Sequence, residues 1–150
     1  MKDGEIMDPR ISIITLSVED LDRSYNFYHN GLGIPTTRNP NQGIIFFQTN
    51  GTCLALYPKE KMKEEFEAKA HFHSKSEVFG GITLAHNVEN KEEVIKVINL
   101  ARKAGATIQK EPCDTFWGGF SGYFSDPDGY LWEVASGAFD FNEDGSLKIT

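Results

Sequence analysis

The sequence has few features that would direct it to a membrane or to an oxidising compartment. It contains two cysteines, Cys53 and Cys113, and its opening residues, MKDGEIMDPR, lack the apolar core of a signal peptide. No segment approaches the roughly 20 consecutive apolar residues that are needed to cross a bilayer. We therefore expect a cytoplasmic protein whose cysteines are reduced thiols, with no membrane as a partner.

The sequence also contains fewer basic than acidic residues. Lysine and arginine number 15 against 22 aspartates and glutamates, which gives a formal net charge of −7. Nucleic acids and anionic membranes bind basic surfaces, and this chain has no cluster of basic residues along its sequence. We therefore expect no nucleic-acid partner. The hydrophobic content of 39% over 150 residues is ordinary for a globular protein with a buried core.

The apolar pattern of the first half predicts a strand, a helix and further strands. The segment ISIITLSV at 11–18 alternates as a strand does, Asp20 is placed to cap a helix, and Gly31 is placed to end that helix. The segment IPTTRNPNQ is at best a poor edge strand because of its prolines. The segments IIFFQT and TCLALY are clear strands, and the Asn50-Gly51 pair between them predicts a tight hairpin.

The second half repeats this order after a polar linker. GITLAHNV predicts a strand, NKEEVIKVINLARKAG a helix, and ATIQKEPC, GGFSGYFS and YLWEVAS three more strands. Such an internal repeat is strong evidence about architecture. We divide the chain into a βαβββ module at 10–57, a linker with an exposed helix at 58–79, a second βαβββ module at 80–138, and a C-terminal tail at 139–150.

One βαβββ module can bury only one face of its sheet beneath its helix. The other face must meet the second module or enclose a ligand. The predicted fold class is therefore α+β, with the two modules forming a half-open eight-stranded barrel around a central cavity. That cavity is the natural place for a small molecule. The pattern is compatible with modules that pair within one chain and with modules that are swapped between two chains.

Two motifs within this doubled frame carry a family resemblance. TLSVEDLDRSYNFYHNGLGI lies near the start, and GYFSDPDGYLWEV lies near the end, where Asp128-Gly129 predicts a hairpin turn. With these motifs, residues 10–138 resemble the vicinal oxygen chelate superfamily, which includes glyoxalase I, extradiol dioxygenases, and bleomycin- and fosfomycin-resistance proteins. The resemblance implies a homodimer and, in the metal-dependent members, one divalent ion in the cavity.

In those members the metal ligands, typically histidine and glutamate, come from the first and last strands of each module. The resemblance places Ile13, Ala55, Gly81 and Glu133 at these positions. Alignment of the two halves also makes Ile13 the counterpart of Gly81, and Ala55 the counterpart of Glu133. Zn²⁺ sites take three or four protein ligands, and only Glu133 has a donor side chain. We expect no metal cofactor, with a divalent metal as the alternative.

Strand alternation predicts which side chains accompany Glu133 in the cavity. Residues two apart share a face of a strand, and the small residues at the ligand positions leave space for an organic molecule. Trp117, which precedes two glycines in a loop, either packs in the core or covers the cavity mouth. The predicted ligand-binding residues are Ile13, Thr15, Ser17, Ala55, Tyr57, Gly81, Thr83, Asn87, Trp117, Tyr123 and Glu133.

Glu133 has two interpretations. It is either an inert carboxylate bonded to a neighbouring hydroxyl or backbone group, or an ionisable group that recognises a cationic ligand or acts as a catalytic general base. The sequence favours a protein that binds a small organic molecule without the family's metal. The first alternative is an enzyme of the lyase or dioxygenase type, either metal-dependent or metal-free with Glu133 as the base. The second is a protein-interaction module without a ligand.

Overall fold

The chain folds into two small sheets that are each covered on one face by a helix. The structure is a computed structural model that describes residues 7, 9–66 and 82–149. In each sheet the first and last strands of the module are parallel, and the other neighbouring strands are antiparallel. The described residues form three strands in the first module and four in the second, one fewer than the eight predicted, and they form two sheets without a closed barrel. The strand directions are those of βαβββ-type modules, so the predicted α+β fold class is confirmed.

The first module forms a three-stranded sheet in the order β1-β3-β2. Its strands are β1 (Ile13–Val18), β2 (Ile45–Phe46) and β3 (Cys53–Pro58). Helix α1 (Leu21–Tyr25) follows β1 and continues as a π-helix over Asn26–Gly31. The proline-containing segment that was expected to be at best a poor edge strand forms a 3₁₀ turn over Pro40–Gln42 instead, because Asn39 caps that turn and proline has no N–H for a ladder.

The second module forms a four-stranded sheet in the order β4-β7-β6-β5. Helix α3 (Lys91–Ala104) joins the first two of its strands in the chain, and α2 (Lys59–Phe66) lies in the predicted linker. The rest of the linker and Gly81 lie outside the described residues. The strands are β4 (Thr83–Asn87), β5 (Thr107–Asp114), β6 (Phe120–Ser125) and β7 (Leu131–Ser136).

Both module helices begin at a polar cap. The Asp20 carboxylate accepts a hydrogen bond from the Arg23 backbone N–H at 3.1 Å, which confirms its predicted role at the start of α1. The Asn90 side chain accepts from the Glu93 N–H at 2.9 Å at the start of α3. These acceptors satisfy N–H groups that have no partner within the helix. Within the described residues, no helix is both long and apolar enough to cross a membrane.

A single core runs through both modules. In the first module it includes Leu16 and Leu56 beneath α1, and in the second it includes Phe124 and Val134 beneath α3. Side chains alternate along a strand, so the neighbours of these residues face away from the helices. We call that side of the second sheet its open face, and its described members include Thr83, Ala85, Asn87, Tyr123 and Glu133.

The two modules are joined at the turn between β6 and β7, where the sequence reads Asp-Pro-Asp-Gly. The Tyr28 hydroxyl donates to Asp126 Oδ2 at 2.6 Å and accepts from Trp132 Nε1 at 3.1 Å. Asp126 Oδ1 accepts the backbone N–H groups of Asp128 and Tyr130. Burial raises the pKa of Asp126 and, with the Asp126 charge, holds the pKa of Tyr28 well above its ordinary value.

The second aspartate of this turn binds the start of α1. Asp128 Oδ1 accepts from the Glu19 backbone N–H and from the Arg23 guanidinium, each at 3.0 Å, and Asp128 Oδ2 accepts from the Ser24 hydroxyl at 2.8 Å. The Asp128 side chain is 4% exposed. The predicted hairpin turn is therefore also a docking site for the helix of the other module.

Candidate functional site

Glu133 lies on the open face of the second sheet. Its cross-strand neighbours are Ala85 of β4 and Tyr123 of β6. The Tyr123 hydroxyl donates to Glu133 Oε2 at 2.9 Å. Burial, followed by this hydrogen bond and the carboxylate charge, raises the pKa of Tyr123, so the phenol remains a donor at neutral pH. The half-buried carboxylate thus has the neighbouring hydroxyl partner that the first interpretation of Glu133 requires.

The predicted residues of the first module share one face of its sheet. The register pairs Thr15 with Ala55 and Ser17 with Tyr57, while Ile13 lies opposite Cys53. Ile13 is 48% exposed, whereas Ala55 is fully buried. Alternation therefore assigns these side chains to a common face, but they differ widely in their access to a ligand.

Trp117 packs against the C-terminal tail. Its indole lies over Gly119, where an added Cβ would collide with the ring, and its ring centroid is 6.0 Å from that of Phe139. The adjacent Phe116 is fully exposed. The glycine therefore serves close packing of the indole on the backbone, and Trp117 does not lie over the cavity described below.

The family's metal positions do not fit a metal ion here. Ile13 and Ala55 have no donor atoms, and the Glu133 carboxylate already accepts a hydrogen bond from Tyr123. Gly81 lies outside the described residues, and glycine has no side-chain ligand. Across the described ranges, no group of three or more histidines, cysteines, aspartates and glutamates is arranged to hold an ion. One carboxylate falls short of the three or four ligands that a Zn²⁺ site requires.

A cavity of about 530 Å³ opens between the two modules. Ile14 and Leu16 of β1 contribute to one wall, and Ile82 and Leu84 contribute to the wall beside β4. Leu131, at the start of β7, also lines it. Leu131 precedes Glu133 by two residues, so the cavity opens on the same face of β7 about 7 Å nearer the hairpin.

The polar groups of the cavity come from both modules. Gln109 Nε2 donates to Ser125 Oγ at 3.0 Å, and the Tyr130 hydroxyl donates to the Ser17 carbonyl at 2.8 Å. Thr15 and Ser17 of β1 also contribute their hydroxyl groups to the lining. Thr107 pairs with Ser125, so Gln109, two residues further along β5, lies on the same side as Ser125, at the point where the register shifts between Ile108 and Lys110.

Only some of the predicted ligand-binding residues line the cavity. Thr15 and Ser17 line it, and Gly81 lies outside the described residues. The predicted residues that do not line it are Ile13, Ala55, Tyr57, Thr83, Asn87, Trp117, Tyr123 and Glu133. The predicted ligand-binding residues did not include Gln109, Ser125, Tyr130 or Leu131, although alternation placed Ser125 beside Tyr123 and Leu131 beside Glu133 on one face. Alternation from Ile108, which packs against the core, assigns Gln109 to that face as well.

Comparisons with known proteins agree with this architecture. The model of the Glyoxalase/Bleomycin resistance protein/Dioxygenase superfamily matches residues 10–134. A glyoxalase-related enzyme from Fulvimarina pelagi is 32% identical, with a TM-score of 0.82 and coverage of 95% of this chain and 99% of that chain. A glyoxalase/bleomycin resistance protein/dioxygenase from Nocardioides is 25% identical, with a TM-score of 0.72 and coverage of 89% and 86%.

A more distant relative shares the fold alone. Lactoylglutathione lyase from Agrobacterium tumefaciens is 20% identical, with a TM-score of 0.64 and coverage of 87% of this chain and 96% of that chain. Among curated proteins no relative matches the chain. The family match spans most of the sequence, and the Fulvimarina pelagi protein is similar over nearly the whole length of both chains. The chain therefore belongs to the glyoxalase/bleomycin resistance protein/dioxygenase superfamily.

Proposed function

We propose that this protein binds a small organic molecule in the cavity between its modules and does so without a metal ion. The cavity itself is the observation that carries the proposal. Its volume of about 530 Å³ lies within the range of small-molecule sites, roughly 300–1,000 Å³. Apolar walls with a few fixed polar groups are the usual composition of such sites, because the walls exclude water and the polar groups orient the ligand.

The donor set supports binding rather than metal-dependent chemistry. A metal acting as a Lewis acid must be held by several protein ligands. The family's positions offer one carboxylate in this chain, and Tyr123 already occupies one of its oxygens. The shared fold is weak support for a shared reaction, since one scaffold hosts many activities.

A second candidate is metal-free proton transfer by Glu133. The observation that favours it is the Tyr123–Glu133 hydrogen bond on the face where the cavity opens. In this scheme the carboxylate accepts a proton from a ligand that reaches beyond Leu131, and Tyr123 orients the carboxylate. Glu133→Gln should then abolish turnover and preserve binding, whereas loss of binding without any turnover in the unaltered protein would contradict catalysis.

Occupation of the cavity is tested by blocking it. Ile82 lines the cavity and is 71% exposed, so Ile82→Trp adds bulk there without disturbing the core. A thermal-shift screen of neutral, anionic and cationic small molecules should find compounds that raise the unfolding midpoint of the unaltered protein. A ligand at 100 times its Kd adds about 2.7 kcal/mol to the free energy of unfolding. We expect Ile82→Trp to abolish that gain.

Ile95→Trp provides the matched control. Ile95 is an isoleucine on α3 that is 45% exposed and lies outside the cavity lining. This variant should respond to each active compound as the unaltered protein does. If no compound in the screen raises the midpoint, the binding proposal fails and the interaction-module alternative gains support. Equal responses in the two tryptophan variants would place the ligand elsewhere.

Metal independence is tested separately by elemental analysis of protein purified without chelator. We expect far less than one ion per chain, and we expect EDTA to leave both the unfolding midpoint and the response to an active compound unchanged. The physical reason is the shortage of donors at the positions of Ile13, Ala55 and Glu133. A stoichiometric ion that EDTA removes, with loss of stability or binding, would contradict the metal-free proposal.

The homodimer and the cytoplasmic location remain predictions. Support for a dimer comes from exposed apolar side chains at the start of β1, where Ile11 is 67% exposed and Ile13 is 48% exposed. A second copy of the chain is the partner that would bury them. Light scattering coupled to size-exclusion chromatography should give twice the chain mass, and a monomer at micromolar concentration would contradict the dimer.

A further inference from the structure

We infer that the cavity selects an uncharged ligand with an apolar body and one group that both donates and accepts a hydrogen bond, as a carboxamide does. This inference rests on the proposed function and names the class of molecule that the same site would take. In this inference the recognising group is not Glu133, which would bind a cation. Gln109 and Ser125, whose side chains are hydrogen-bonded across the β5–β6 pair, bind a neutral polar group instead.

The described residues around the cavity provide no free charge for ionic recognition. The described side chains that line it are all uncharged. The nearby Asp126 and Asp128 carboxylates of the hairpin turn are bonded to the helix of the first module. Glu133, further along the same face, is bonded to Tyr123. A charged ligand would therefore lose its hydration without meeting an opposite charge, which is strongly unfavourable.

The Gln109–Ser125 pair provides complementary hydrogen-bonding groups. Gln109 Nε2 donates to Ser125 Oγ at 3.0 Å. Among the described residues, the Gln109 carbonyl oxygen and the Ser125 hydroxyl hydrogen have no other partner. The pair thus offers one acceptor and one donor side by side, and it would still do so if the serine donated to the glutamine instead.

A carboxamide matches this arrangement at both atoms. Its carbonyl oxygen accepts from the Ser125 hydroxyl, and its N–H donates to the Gln109 carbonyl oxygen. A carboxylate of the same shape has no donor for Gln109, and an amidinium has no acceptor for Ser125. Gln109 is exposed, so water can pair with a group that a charged analogue leaves unbonded, and the discrimination comes mainly from the cost of removing the charge from water.

The test compares three probes of one shape. Benzamide, benzoate and benzamidine carry a neutral amide, an anion and a cation on the same ring. Isothermal titration calorimetry on the full chain should show benzamide binding about tenfold or more tightly than either charged probe. Gln109→Leu should weaken benzamide binding about three- to tenfold, since one hydrogen bond is lost. Ser125→Ala should weaken it by a similar factor.

Gln48→Leu is the matched control, because Gln48 is an exposed glutamine outside the cavity lining. It should leave all three affinities unchanged. Benzamide binding that is absent, or no tighter than that of the charged probes, overturns the inference. The inference is also overturned if benzamidine binds most tightly and Glu133→Gln abolishes that binding. That result would leave the proposed function, binding of a small molecule, intact. The proposed function itself fails on a different result, the absence of any stabilising compound in the screen with Ile82→Trp.

Discussion

At the scale of single residues, the most consequential side chains are those that join the modules. The sequence identified Asp128-Gly129 as a hairpin turn, and that assignment depends only on local backbone preferences. It did not indicate that Asp126 would bind Tyr28, because these residues are far apart in the chain and meet only through tertiary packing. The same turn therefore has a local role that a sequence pattern predicts and a long-range role that it does not.

Removing the Tyr28 hydroxyl should weaken this junction. In Tyr28→Phe the buried Asp126 Oδ2 loses its donor and Trp132 Nε1 loses its acceptor. Buried polar groups without partners are destabilising, so we expect the free energy of unfolding to fall by about 1–3 kcal/mol. Urea denaturation followed by circular dichroism measures this change.

Tyr25→Phe is the matched control for that variant. Tyr25 lies one turn earlier in the same helix, is half-buried, and its hydroxyl makes no hydrogen bond within the described part of the chain. Its removal should change stability by less than about 0.5 kcal/mol. Equal losses in the two variants would show that the hydroxyl network does not hold the modules together.

At the scale of elements, strand alternation was informative and strand irregularity was not. Alternation placed Leu131 and Glu133 on one face of β7, and the register agrees with that placement. The register shift around Gln109 has no counterpart in the sequence pattern, since ATIQKEPC reads as an ordinary strand. Alternation from Thr107, the partner of Ser125, still puts Gln109 on the Ser125 side. The hydrogen bond between the two side chains depends on how β5 and β6 are aligned, which the sequence pattern does not give.

The close approach of the two module helices gives a prediction at this scale. A Cβ at Gly31 would stand 2.5 Å from the Cβ of Ala104 at the end of α3. Gly31→Ala should therefore force the helices apart and lower the free energy of unfolding by about 1–3 kcal/mol. The sequence indicated only that Gly31 ends a helix. The contact with Ala104 is a second reason for a glycine at this position.

The second variant needed is Ala104→Gly, which removes the atom that the new methyl group meets. Alone it should cost about 1 kcal/mol through helix propensity. Combined with Gly31→Ala, it should restore part of the lost stability, with a favourable coupling of about 0.5–3 kcal/mol in a double-mutant cycle. Additive effects in urea denaturation would contradict steric contact as the cause.

At the scale of the whole molecule, the internal repeat was enough to predict the fold class. Each half specifies its own strands and helix through local apolar periodicity, and two copies of one unit imply a paired architecture. The shape of the cavity depends instead on how the modules meet. Leu84 and Ser17 belong to different modules and line the same cavity, and no pattern within either module encodes that meeting.

Occupation of the space between the modules by a small organic molecule is measured most directly by nuclear magnetic resonance. The ¹⁵N-labelled protein is titrated with the compound that stabilises it most in the thermal-shift screen, and the amide chemical shifts are followed. We expect saturable shifts concentrated at Ser17, Leu84, Ser125 and Leu131, with the exposed Leu100 of α3 unaffected. Shifts confined to other surfaces, such as the exposed Phe116 loop, or no saturable shifts at all, would contradict this occupation.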